Sequence, residues 1–125
     1  MMPRTRAKHV VVAEDDSDIR LLLELHLRRL GWVVRVVANG RDVAPLVLSQ
    51  RTDLLVLDWT LPDMSGAELL DAFREDPRTR DVPILMLTAR AEEAAKKEGL
   101  GRGATAYMTK PFTLSELAET IQELI

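Results

Sequence analysis

Four short stretches of the chain are almost continuously apolar: Val10–Ala13, Leu54–Leu57, Ile84–Leu87 and the more polar Ala104–Met108. Strands covered on both faces read this way, because neither face needs polar residues. A fifth run, Val33–Val37, is broken by Arg35 and suits the edge of a sheet better than its middle. Segments with helical spacing lie between the runs. Ile19, Leu22, Leu23, His26, Leu27 and Leu30 share one stripe, and Gly31 is placed to end that helix, while Leu21 and Leu25 fall off the stripe. Ser65-Gly66-Ala67-Glu68 and Thr113-Leu114-Ser115-Glu116 have the form of capping boxes, the second opening a helix through Leu117, Ala118, Ile121, Leu124 and Ile125. A further helix is expected from about Ala91 to Leu100, stopped near Gly101 and Gly103. The one after Asn39-Gly40 contains Pro45, which either kinks it or marks a start near Asp42.

Strands alternating with helices predict an α/β fold, a doubly wound parallel sheet with right-handed crossovers. Every strand then ends on the same edge, where ligands of such sheets bind. No linker, repeat or low-complexity tract divides the 125 residues, so residues 1–125 are expected to form a single domain. A hydrophobic share of 46% and a charged share of 30% exclude a disordered chain. With 17 basic and 20 acidic side chains the net charge is −3, which argues against direct nucleic-acid binding. The absence of Cys excludes disulfides, thiol catalysis and thiolate metal sites. No apolar run approaches the roughly 18 residues of a membrane span, and Met1 to His9 lacks the apolar core of a signal peptide. A cytoplasmic location without membrane contact is the expectation.

The residues that follow the apolar runs carry the chemistry. Glu14, Asp15 and Asp16 follow the first, Asp58 the Leu54–Leu57 run, Thr88 the next, and Thr109-Lys110-Pro111 the last. Carboxylates about 4 Å apart repel by roughly 4 kcal/mol at an effective dielectric of 20, so such a cluster binds a cation, holds a proton or splays apart. An oxygen-only donor set favours Mg²⁺, with waters and a phosphate oxygen completing its shell.

Four segments in order then carry a resemblance: Val12-Ala13-Glu14-Asp15-Asp16; Asp53 to Gly66, including Leu57-Asp58-Trp59-Thr60-Leu61-Pro62-Asp63-Met64; Pro83 to Ala89, ending Leu87-Thr88-Ala89; and Gly103 to Phe112, including Tyr107-Met108-Thr109-Lys110-Pro111. Over nearly its whole length the chain resembles the receiver domain of bacterial two-component response regulators. The resemblance implies a flavodoxin-like (βα)5 sheet of strand order 2-1-3-4-5. It implies that Asp58 is phosphorylated by a histidine kinase or histidine phosphotransfer protein, with Mg²⁺ as cofactor. Asp15 and Asp58 would be direct ligands, Glu14 would act mainly through water, and the Thr60 backbone carbonyl would be a further ligand. Lys110 would pair with one phosphoryl oxygen, Thr88 would hydrogen-bond another and the Ala89 N–H a third, with the Lys110–Pro111 peptide cis. Thr88 and Tyr107 would form the switch: Thr88 swings to the phosphoryl group, the Tyr107 ring moves from exposed to buried, and the surface of the last two helices and last strand changes.

The same resemblance places donor docking on the first helix, so Leu21, Leu22, Leu25 and Phe112 are expected to form an apolar docking patch. Members joined to winged-helix DNA-binding domains commonly dimerise through acids just before the Tyr107 position and an arginine in the last helix. Thr105-Ala106 and Thr120 stand there, so the active form is expected to be a monomer or a phosphorylation-dependent homodimer of another kind. His26 reads as a buried neutral histidine, His9 as a solvated residue leading into the first strand, and Trp59 as a reporter beside Asp58. The expected function is a signalling switch that acts on a possible effector domain or output protein and catalyses only its own phosphorylation and dephosphorylation. Two alternatives stand beside it. A Mg²⁺-dependent aspartyl-phosphate phosphatase or phosphotransferase would need a second acid that Asp58-Trp59-Thr60 lacks. A phosphorylation-independent adaptor of the same fold would normally have lost Asp58 or Lys110.

Overall fold

The structure, a computed structural model, describes residues 7–125. The expectation about Met1 to His9 therefore lies, for residues 1–6, outside the described residues. Strands and helices alternate throughout: β1 His9–Ala13, α1 Ser17–Arg29, β2 Val33–Val37, α2 Val43–Ser49, β3 Leu54–Leu57, α3 Gly66–Glu75, β4 Ile84–Thr88, α4 Glu93–Gly101, β5 Ala106–Thr109 and α5 Leu114–Leu124. All neighbouring strands pair in parallel, in the order β2-β1-β3-β4-β5. This is the expected doubly wound sheet, with β2 at one edge.

Successive residues of a strand point to opposite faces, and here both faces are covered. Val10, Val12, Leu54, Val56, Leu85 and Leu87 pack with Leu23 and Leu27 of α1 and Leu117 and Ile121 of α5. Val11, Ala13, Leu55, Leu57, Ile84 and Met86 pack with Val43 and Val47 of α2 and Leu69, Leu70 and Phe73 of α3. That double covering is why the central strands are uninterrupted apolar runs.

Caps fix where the helices begin. Asp16 Oδ1 accepts from the N–H groups of Asp18 and Ile19 at 2.9 and 3.0 Å. Ser65 Oγ accepts from Glu68 N–H at 3.1 Å and Thr113 Oγ1 from Glu116 N–H at 3.0 Å. Gly31, at φ +93°, follows α1 in the left-handed region that suits glycine at a helix end. Pro45 produces no kink, because α2 starts at Val43 and puts it in the first turn, where a missing N–H leaves no helical bond unmade.

Several expectations need correction. On α1 only Leu23 and Leu27 are buried; Leu22 and Leu30 are exposed, and Ile19 and His26 are half-buried. The reason is geometric: the flank carrying Ile19 and Leu22 opens onto a groove shared with Phe112 and Leu114. His9 is half-buried within β1 rather than solvated, and its N–H donates to Asp53 Oδ2 at 2.8 Å. α4 begins two residues later than expected, at Glu93, and β5 begins at Ala106.

Candidate functional site

Backbone pairing extends past the strand ends and gathers the site. Glu14 N–H donates to Val37 O at 3.0 Å, Asp58 N–H to Ala13 O at 3.1 Å, and Lys110 N–H to Thr88 O at 2.9 Å. These bonds set Glu14 beside the end of β2, Asp58 beside the end of β1 and Lys110 beside the end of β4. Glu14, Asp15 and Asp58 each place one carboxylate oxygen within 4.8 Å of the other two. Glu14 and Asp58 are only 2% and 7% exposed, whereas Asp15 faces solvent. Lys110 reaches across them: its Nζ donates to Asp58 Oδ2 at 3.0 Å and also to Glu14 Oε1. Thr88 ends β4 fully buried, its Oγ1 accepting from Arg90 N–H at 3.3 Å, and exposed Ala89 follows. The Lys110–Pro111 peptide is cis, as expected.

Three carboxylates against one ammonium leave two negative charges uncompensated. Burial pushes the Glu14 carboxyl above its ordinary range and the nearby Asp58 charge adds to this, although hydrogen bonds from Lys110 and the Asp16 N–H oppose it. Burial by itself would lower the Lys110 ammonium, but its bonds to Glu14 and Asp58 outweigh that and hold it above its ordinary value, firmly charged. The donors are all oxygens and the charge deficit is two, so the residues present fit a small hard dication such as Mg²⁺.

The loop after β3 is tied down at several points. Thr60 N–H donates to Asp58 Oδ1 at 3.1 Å, Gly66 N–H donates to Trp59 O at 2.6 Å, and Thr60 bridges to Ser65. A Cβ at Gly66 would stand 2.8 Å from the Trp59 Cα, so this approach requires glycine. Asp63 links this loop to the one before α2 by accepting from the N–H groups of Gly40 and Arg41 at 2.6 and 2.9 Å, which holds its carboxyl below the ordinary range. Trp59 is buried. The Arg90 guanidinium lies 4.8 Å from its ring centroid, and the half-buried Tyr107 donates its hydroxyl to Arg90 O at 2.6 Å.

Sequence reasoning overlooked Asp63 and Arg20. Arg20 donates from Nη1 to the backbone carbonyls of Glu14 and Asp15 at 3.0 and 3.2 Å. The one sequence signal for Arg20 is its place in the second turn after the acidic run; Asp63 stands only as one more loop acid.

The proposed docking residues are partly brought together. Leu21, Leu22 and Leu25 are about half exposed, and Phe112 is half-buried. A groove of about 430 Å³ joins Ile19, Leu22, Lys110, Pro111, Phe112 and Leu114. Leu25 belongs to a neighbouring depression with Leu22, and Leu21 stands outside both. Thr105 Oγ1 accepts from Ile84 N–H at 3.0 Å and Thr120 donates its hydroxyl to Glu116 O at 2.8 Å, so both threonines make bonds within the chain.

Comparison with known proteins completes the picture. Residues 10–122 match the response regulator receiver domain family. The phosphate regulon transcriptional regulatory protein PhoB of Rhizobium meliloti is 40% identical over 117 residues, which cover 93% of this chain and 51% of PhoB. Chemotaxis protein CheY of Pseudomonas aeruginosa is 35% identical over 116 residues, covering 92% of this chain and 94% of CheY. The receiver domain of the sensor histidine kinase PA1611 from Pseudomonas aeruginosa, solved with a magnesium ion coordinated in its active site cleft, matches with a TM-score of 0.86 and 30% identity, covering 95% of this chain and 98% of that one. This chain spans about half the length of the PhoB relatives it matches. Among the described residues no helix is long and apolar enough to cross a membrane. Receiver domains are signalling modules that interact with histidine kinases and with output effectors, and this chain belongs to the response regulator receiver domain family of two-component systems.

Proposed function

We propose that Asp58 is the phosphoacceptor of this receiver domain. What carries the reading is that Asp58, nearly buried, lies 3.0 Å from the Lys110 ammonium and shares one 4.8 Å cluster with Glu14 and Asp15. An Asp58 oxygen attacks the phosphorus of a donor phosphohistidine. The P–N bond breaks, the imidazole leaves with its electron pair and takes a proton, and Asp58 becomes an acyl phosphate. Asp15 and Asp58 would hold Mg²⁺ directly, with Glu14 acting through water and the Thr60 carbonyl as a further ligand, and the ion would supply positive charge against the phosphoryl oxygens. Lys110 pairs with one phosphoryl oxygen, the Thr88 hydroxyl donates to a second and the Ala89 N–H to a third. The chain turns over no small-molecule substrate and catalyses only its own phosphorylation and dephosphorylation.

Output follows from the added charge and oxygens. Thr88 turns from the Arg90 N–H toward the phosphoryl group, Tyr107 moves further inward, and the α4–β5–α5 face changes. Residues 1–125 act as one receiver unit in the cytoplasm. Their partners are a histidine kinase or phosphotransfer protein docking at Leu21, Leu22, Leu25 and Phe112, and an effector domain or output protein, with no nucleic-acid or membrane contact by this segment. With Thr105 and Thr120 bonded within the chain, the phosphorylated form is a monomer or a homodimer built on other contacts.

Incubation with acetyl phosphate and Mg²⁺ followed by intact mass measurement tests the assignment. The expected gain is about 80 Da for one phosphoryl group, absent in Asp58→Asn. An undiminished adduct in that variant moves the acceptor elsewhere.

A further inference from the structure

Arg20 sits in the second turn of α1, half-buried, and its bonds go to backbone rather than to a carboxylate. One nitrogen, Nη1, donates to two successive carbonyls, those of Glu14 at 3.0 Å and Asp15 at 3.2 Å. These are the residues whose carboxylates converge with Asp58. Their turn is otherwise closed by the Asp16 N–H, which donates to Glu14 Oε2 at 3.1 Å, and by the Asp16 cap on α1. Arg20 thus ties the first turns of the helix to the segment that aims Glu14 inward and leaves Asp15 at the surface.

We propose that Arg20 is a positioning residue for the cation site, fixing the Glu14–Asp15 turn so that both carboxylates meet Asp58. The inference rests on the reading of Glu14, Asp15 and Asp58 as that site. A guanidinium nitrogen carries two hydrogens at a fixed angle in a planar frame, so it can span neighbouring carbonyls, which the freely rotating ammonium of lysine does with less constraint. Supports of this kind, one layer behind the ligands, govern metal affinity by limiting how far the ligands wander. Charge acts in the opposite direction. A cation this close to the acids repels Mg²⁺, so removing it for its charge alone would tighten binding, whereas removing a support loosens it.

The sign of the change in Mg²⁺ affinity therefore tests the proposal without any phosphodonor. The chain has two tryptophans, and in a Trp32→Phe background Trp59, adjacent to Asp58, becomes the sole reporter for a MgCl₂ titration. The expected result is that Arg20→Ala weakens Mg²⁺ binding on the order of tenfold, with Arg20→Lys between it and the parent. Equal or tighter binding by Arg20→Ala overturns the proposal. Circular dichroism and thermal melts establish folding; should Arg20→Ala fail to fold, Arg20→Lys decides by the same titration, weaker binding supporting the role and unchanged binding overturning it. A parent showing no Mg²⁺ response that Asp15→Asn abolishes overturns the cation-site reading and this inference together.

Discussion

The ammonium of Lys110 lies 3.0 Å from Oδ2 of Asp58, although 52 residues separate them in the chain, and the same nitrogen contacts the buried carboxylate of Glu14. It is the counterion that lets two nearly buried carboxylates face one another. Lys110→Met leaves both uncompensated and is expected to lower stability at pH 7 by about 1–3 kcal/mol. Added MgCl₂ should recover more stability in the variant than in the parent, because no ammonium competes for the same oxygens. Urea unfolding of both proteins with and without MgCl₂ measures this; an equal Mg²⁺ effect on the two contradicts it.

Gly66 approaches the chain next to Asp58 more closely than any side chain permits. The added Cβ of Gly66→Ala meets the Trp59 Cα at 2.8 Å, a backbone atom that cannot turn aside. Alanine favours a helix by about 1 kcal/mol over glycine, and the overpacking costs about 1–3 kcal/mol. Net destabilisation is expected, together with altered Trp59 emission and weaker Mg²⁺ binding. A denaturation midpoint at or above the parent's would show that the loop has slack.

Asp53 makes acid stability predictable. Its carboxylate accepts from the His9 N–H at 2.8 Å and from Arg51 Nε at 3.0 Å, and its own N–H donates to His9 O at 2.8 Å, so it joins the starts of β1 and β3. Burial works to raise its pKa, but the His9 and Arg51 bonds outweigh that and hold it below the ordinary 3.8. The folded state thus releases this proton at lower pH than the unfolded chain does. The stabilisation is fully present above about pH 4 and is lost as pH falls through the native value. Asp53→Asn is expected to cost about 1 kcal/mol at pH 7, with the gap to the parent closing toward pH 2. A gap constant from pH 7 to pH 2 would assign the loss to shape rather than to charge.

Leu21 and Leu25 are exposed leucines on the helix that borders the groove at Phe112. Glutamate at both positions should slow phosphotransfer from the cognate histidine donor on the order of tenfold, as loss of apolar anchors at a docking surface does. Labelling by acetyl phosphate, which needs no docking, stays at the parental rate. Equal slowing of both reactions would place the defect in the phosphorylation chemistry instead.

Pattern alone was enough for the alternating α/β layering but not for the strand order, since β5, read among the doubly covered runs, lies at the second edge and is only half-buried. Runs such as Leu54–Leu57 had to be central strands, because two apolar faces need two covers. Arg35 marked an edge, and alternation with helices put Glu14, Asp58, Thr88 and Lys110 on one sheet edge. These are consequences of period and connection, which each short segment carries within itself. Ser65 and Thr113 announced their helix starts for the same reason, since a cap bonds only to residues two or three places on.

What the folded chain decided was everything that depends on two segments meeting at a particular angle. Leu22 and Leu30 share the spacing of Leu23 and Leu27, yet only the latter pair is covered, because Leu22 faces a groove and Leu30 lies past the end of α1 as its cap. Asp63 is one loop acid among several until the β2–α2 loop brings the N–H groups of Gly40 and Arg41 to it. Arg20 is one more surface arginine until the turn after β1 presents two carbonyls to a single nitrogen. Hydrophobic period reports how an element meets a generic sheet, but hydrogen bonds act over about 3 Å, a precision set by loop paths and packing and written into no local stretch of residues.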